Sequence, residues 1–221
     1  MVAATQVPTL AGFAFPPPLS LQSGDRMAGP EFMRRYEATP EDFKAELIDG
    51  IVYVASPQRA EQHGDPGFDV IVWLGAYSMT LPNVRGTDNS TTKLDIDNIP
   101  QPDISLRYIE GGQTRIVNGY IEGAPELVVE IAASSVSIDM HQKKNVYRRS
   151  GVQEYIVWRA MDGAIDWFAL DEGEYIALVP DERGVIHSRV FPGLRLAVAS
   201  MLDSDIVSVV EEQNRDLQPP S

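Results

Sequence analysis

The chain has 221 residues, 43% hydrophobic and 23% charged, and its 18 Lys and Arg against 32 Asp and Glu give a formal net charge of -14. That size and balance suit one domain with a real core and exclude wholesale disorder. With no cysteine and only three scattered histidines, His63, His141 and His187, a disulfide framework and a thiolate- or histidine-rich zinc site are excluded, while carboxylate-held Mg²⁺ or Mn²⁺ stays open.

No apolar run reaches the roughly 18 residues of a membrane span. No basic stretch precedes the first apolar one, so no secretory signal is expected and the expected location is cytoplasmic. The acidity opposes nonspecific binding to nucleic acid, which relies on Lys and Arg neutralising phosphates. A divalent cation in a carboxylate cluster reverses such a field locally.

Residues 1–25 carry Pro8 and the Pro16-Pro17-Pro18 run with little periodicity, and read as a Pro-rich arm, mobile or packed on a neighbour. A single domain is expected over 26–215, with a tail at 216–221. Order is expected from about Pro30, where Phe32, Met33 and Tyr36 share one side of a short helix. Glu46 to Val54 is a hairpin signal, with Asp49-Gly50 as the turn between branched apolar residues. Helical spacing follows from about Glu61 to Leu81, then strands at Thr91–Asp95, Asp103–Tyr108 and Glu126–Ala132. A helix from about Asp139 to Arg149 stops at Gly151. Strands at Gln153–Trp158, Ala164–Leu170, Tyr175–Val179 and Val185–Val190 precede a last helix over about Val198–Gln213. The order fits an α/β (α+β) fold, one curved mixed sheet flanked by helices.

Two carboxylates stand out. Glu130 lies within the strand Leu127-Val-Val-Glu-Ile-Ala132, where every neighbour is apolar. A carboxylate there is costly unless it meets a cation or donors, and a structural salt bridge or a water-facing edge would answer equally. Asp103 follows Pro102 at a strand start, a common place for aspartate. Brought beside Glu130 it would repel it, and a divalent cation would relieve that repulsion. The helix after the second strand carries Lys143, Lys144, Arg148 and Arg149. Alone it reads as a solvated amphipathic helix with an exposed Asp139–Lys143 pair worth a few tenths of a kcal/mol. His63 reads as a structural hydrogen-bonding residue and stays outside the catalytic set. Trp73, Tyr77, Tyr155 and Trp158 read as core.

Taken together, Glu46-Leu-Ile-Asp-Gly50, Gln101-Pro-Asp103, Glu126-Leu-Val-Val-Glu-Ile131, Asp139 through Lys143 to Tyr147, and Gly151-Val-Gln-Glu-Tyr-Ile-Val-Trp158 resemble the Uma-two family within the PD-(D/E)XK nuclease superfamily. The resemblance spans roughly Met27 to Leu196. It implies a restriction-endonuclease-like fold, DNA as substrate and a divalent cation, Mg²⁺ or Mn²⁺. It implies Asp103 and Glu130 as metal ligands, Glu46 as an acid for a second metal or a metal-bound water, and Lys143 as the catalytic lysine. Position 132, where the superfamily motif has its lysine, is Ala132 here, so that lysine must come from the following helix, with Lys144 as the alternative. Ala133-Ser134 and Gln153 depart from the family pattern and bear on loop shape. Cutting two strands suggests a homodimer by analogy. The competing reading is a catalytically inactive nuclease-fold binding or scaffold protein, which suits the acidic surface.

Overall fold

The computed structural model describes residues 20–56, 59–133 and 135–215; most of the Pro-rich arm and the tail at 216–221 lie outside them. In chain order the elements are α1 (Gly29–Tyr36), β1 (Ala45–Ile48), β2 (Ile51–Val54), α2 (Asp65–Ser78), β3 (Val84–Asp88), β4 (Thr92–Lys93), β5 (Ile104–Tyr108), β6 (Arg115–Val117), β7 (Tyr120–Glu122), β8 (Leu127–Ala132), α3 (Lys144–Ser150), β9 (Glu154–Arg159), β10 (Ala164–Asp171), β11 (Glu174–Ala177), β12 (Val185–His187), β13 (Arg195–Ala197), α4 (Val198–Leu202) and α5 (Ile206–Gln213). Two wider π-helical turns, Ala60–Gly64 and Ile138–Lys143, lead into α2 and α3.

A six-stranded mixed sheet in the order β11-β10-β9-β8-β5-β3 organises the molecule. β8 runs parallel to β9 and antiparallel to β5. The parallel pair requires a crossover, which the second π turn and α3 supply. β8 is buried along its whole length, as an apolar run covered on both faces must be.

On one face α2 presents Val70, Trp73, Leu74 and Tyr77 at helical spacing, and they pack with Leu127, Val129 and Ile131 of β8 and with Met201 and Val209 of the last two helices. The opposite face, by strand alternation, carries Val128 and Ala132 against Tyr147 and Tyr155. A third cluster, with Phe32, Leu47, Val52 and Ile99, seats the β1–β2 hairpin. Asp49 and Gly50 turn that hairpin with φ of 52° and 70°, the two positive angles of a type I′ turn.

The mixed sheet flanked by helices is the fold class expected from the sequence, with local differences. Order begins before Pro30: Leu21 is buried, and the Gly24 and Met27 amides donate to Val52 and Gly50 carbonyls. The strand expected at Thr91–Asp95 shrinks to two residues, and the last helix breaks at Asp203–Asp205. β3, β13 and the β6–β7 hairpin were not expected; β3 holds one buried apolar residue, Val84, and so has no alternating pattern to read. Among the described residues no helix is long and apolar enough to cross a membrane.

Candidate active site

β5 and β8 pair with Ile104 opposite Val129. One step further along this register Asp103 stands beside Glu130, and the Ile131 amide donates to Asp103 Oδ2 at 2.8 Å. Strand pairing itself therefore fixes the aspartate next to the glutamate. The Ile138–Lys143 turn then brings a cation to the pair. Lys143 Nζ lies 3.1 Å from Glu130 Oε1, 2.9 Å from Glu46 Oε2 and 3.7 Å from Asp139 Oδ1. One turn on, the Tyr147 hydroxyl donates to the same Glu130 oxygen at 2.7 Å. Wide π turns recur at functional sites, and both of those in this fold reach this place.

Glu46 comes from the hairpin. Its Oε1 accepts from the Gln101 amide at 2.6 Å, two residues before Asp103, while its Oε2 holds Lys143. Tyr53 on β2 donates to Gln142 Oε1 at 2.9 Å, tying the hairpin to the turn that carries the lysine. His63, from the first π turn, has Nε2 3.2 Å from Asp103 Oδ2. Glu46, His63, Asp103, Glu130, Asp139 and Lys143 all line one cavity of about 790 Å³.

The electrostatics are strained in one direction. Burial pushes the Glu130 carboxyl well above the usual range; Lys143 opposes this, and Asp103, Asp139 and Glu46 push the same way as burial. Burial also raises Asp139, again against Lys143. For Lys143 burial disfavours the charge, but attraction to Glu130, Glu46 and Asp139 outweighs it and holds the ammonium above its ordinary pKa. The lysine stays charged, and the group holds four carboxylates against one ammonium. Such an excess of acid around a cavity is what a further cation would relieve.

Comparison with known proteins bears on family and fold. Residues 30–199 match the profile of the Uma2 family, described as "Putative restriction endonuclease". The chain belongs to the Uma2 family. Its fold is similar to that of a solved structure described as a putative nuclease belonging to DUF820, from Anabaena variabilis, with a TM-score of 0.59 and 15% identity over 77% of this chain and 97% of the other. At that identity the likeness concerns the fold. Curated proteins yield no match.

Of the residues singled out in the sequence of this Uma2 protein, Glu46, Asp103, Glu130 and Lys143 come together in the cavity. Lys144 does not: its Nζ sits over the Phe168 ring, 3.3 Å from the centroid. The Asp139–Lys143 pair, expected to be exposed, is buried at 2% and 6% exposure, because the widened turn faces both residues toward the sheet. His63, set aside in the sequence as structural, stands in the cavity against Asp103. Only its place in a Gln-His-Gly stretch after the hairpin signalled it. Asp139 and Tyr147 were visible as one helix face, but nothing local told that this face meets Glu130.

The donor set suits a hard divalent cation: every acid offers oxygen, and charge is in surplus. Among the described residues no three or more His, Asp or Glu side chains are gathered to hold a metal ion.

Proposed function

We propose that this Uma2 protein is a metal-dependent endonuclease that hydrolyses phosphodiester bonds in DNA. The observation that carries the reading is a charged lysine held at the wall of an open cavity by acids that outnumber it. Asp103 and Glu130 would hold Mg²⁺ or Mn²⁺, whose contribution is a polarised water and neutralisation of the phosphate.

The chain's own groups do the rest. The Ile131 amide fixes Asp103, and Tyr147 and Lys143 fix one oxygen of Glu130, so both carboxylates are oriented before substrate arrives. Lys143 presents a permanent positive charge where the phosphoryl oxygens gain negative charge during attack. Glu46 has one oxygen on the Gln101 amide and the other on Lys143, so it orients the lysine and steadies the loop ahead of Asp103. Two copies, one per strand, would make a double-strand cut, and light scattering checks that dimer.

Purified protein with Mg²⁺ or Mn²⁺ is expected to nick supercoiled plasmid, EDTA to stop it, and Asp103→Ala to abolish it with the circular dichroism spectrum unchanged. Equal nicking by wild type and variant would assign the activity to a contaminant. Absence of both nicking and Asp103-dependent Mn²⁺ uptake would leave a nuclease fold that serves as a binding scaffold.

A further inference from the structure

In a chain with so many acids, a basic side chain without one is informative. Most of the 18 basic residues are paired with acids: Lys143 in the site, Arg34 and Arg35 with Glu31, Arg115 with Glu122, Arg148 with Glu174, Arg149 with Asp49, Arg159 with Asp162 and Asp166, Arg189 with Asp171, and Arg183, Arg195 and Arg215 with Glu212. Lys93 and Lys144 lie over the rings of Tyr120 and Phe168. Arg26, Lys44, Arg59, Arg85 and Arg107 have no acid partner among the described residues. Arg26 sits against Ile51 of the hairpin; the other four form two pairs.

Lys44 and Arg59 are exposed and both line the site cavity. Lys44 Nζ is held 3.0 Å from Asn89 Oδ1, another residue of the cavity wall, at the end of β3. That strand continues to Arg85, which pairs directly across from Arg107 of β5. Like charges opposite one another on an antiparallel pair destabilise it, yet neither arginine has an acid partner among the described residues, and the buried Nε of Arg107 has no hydrogen-bond partner among them. Ile104 and Leu106 of β5 enter the α2 core, so Ser105 and Arg107 lie on the other face of the sheet, the face that carries Asp103 and Glu130.

We infer that Lys44 and Arg59 at the cavity mouth and Arg85 with Arg107 along the sheet edge form a track for the phosphates of a DNA duplex, leading one strand to Asp103 and Glu130. The inference rests on the endonuclease reading and extends it to how an acidic protein holds a polyanion. Phosphate contacts set register and orientation, and two cations on the cavity wall with two more further along the same sheet face supply them where the molecule's overall charge does not.

Binding of a fluorescein-labelled 20-base-pair duplex to the full chain in EDTA, followed by anisotropy over a salt series, tests it. Each phosphate contact contributes about 0.9 to the slope of log K against log salt. Lys44→Ala with Arg59→Ala, both at exposed positions, is expected to flatten the slope by about twice that amount, and Arg85→Ala by about half as much as the pair. Arg34→Ala, whose arginine is already paired with Glu31, is expected to leave it unchanged. If wild type nicks plasmid in an Asp103-dependent way while the Lys44 and Arg59 variant keeps the wild-type slope, the track is wrong and the endonuclease reading stands. If wild type neither binds the duplex nor nicks plasmid, both fail.

Discussion

Two buried glutamates follow the line of β8, Glu126 immediately before the strand and Glu130 within it. Glu126, 1% exposed, receives the Gln113 amide on Oε1 at 2.8 Å and the Tyr108 amide on Oε2 at 3.0 Å. The loop around it closes so tightly that a Cβ on Gly112 would lie 3.0 Å from Glu126 Oε1 and 2.6 Å from the Tyr108 carbonyl oxygen. Glu130, 3% exposed, has both its donors on one oxygen, from a lysine and a tyrosine, and three more carboxylates around it. Equal burial thus yields opposite situations. The first acid is satisfied on both oxygens by neutral backbone amides and serves the fold; the second sits in a surplus of negative charge facing a cavity. Burial alone does not mark a site, whereas unrelieved charge beside open space does.

The largest effect that would sharpen this contrast is expected from Lys143→Met. Removing the only ammonium among Glu130, Glu46 and Asp139 leaves buried charge uncompensated and should cost about 3–5 kcal/mol by urea denaturation, with nicking lost. Glu130→Gln keeps shape and an acceptor but removes the charge. Nicking is expected to fall on the order of 10²-fold or more while the melting temperature holds. A variant that nicks like wild type would break the comparison from the functional side.

Glu126→Ala should do the reverse. It strands two buried amides, costs about 1–3 kcal/mol and leaves the rate per folded molecule unchanged. A rate loss without a stability loss would show that the two glutamates are not different in kind. Smallest is Lys144→Ala, which forfeits a cation–ring contact worth about 0.5–1 kcal/mol and should leave nicking intact, separating the neighbouring lysines.

Much of this was legible beforehand. Asp49-Gly50 announced the hairpin, and the unbroken apolar run around Glu130 announced both a central strand and an acid in need of partners. The five family motifs put Glu46, Asp103, Glu130 and Lys143 in one group, and the fold did the same. What stayed hidden has physical reasons. β3 is an edge strand whose Arg85, Gly86 and Asp88 are exposed, so it has no buried face to imprint a period of two. The burial of Asp139 depends on a π turn that shifts a helical face, and propensity does not encode that shift. His63 meets Asp103 only through tertiary packing, with no sequence neighbour to hint at it. Likewise Glu126 and Glu130 look alike in the strand pattern, because the amides that satisfy the first come from a loop around Gly112.

The hairpin's grip on the rest of the molecule has a consequence for how the protein comes into being. Glu46 reaches across 55 residues to the Gln101 amide, and Tyr53 across 89 to Gln142. Such distant closures form slowly, because chain entropy is lost before the contacts repay it. A ribosome-bound chain that has not yet emitted its lysine turn has no assembled centre, and a fragment lacking the hairpin keeps Asp103 and Glu130 but loses the clamp on Lys143. The cluster around Lys143 is therefore complete only once the hairpin has docked on both the loop before Asp103 and the turn that carries the lysine.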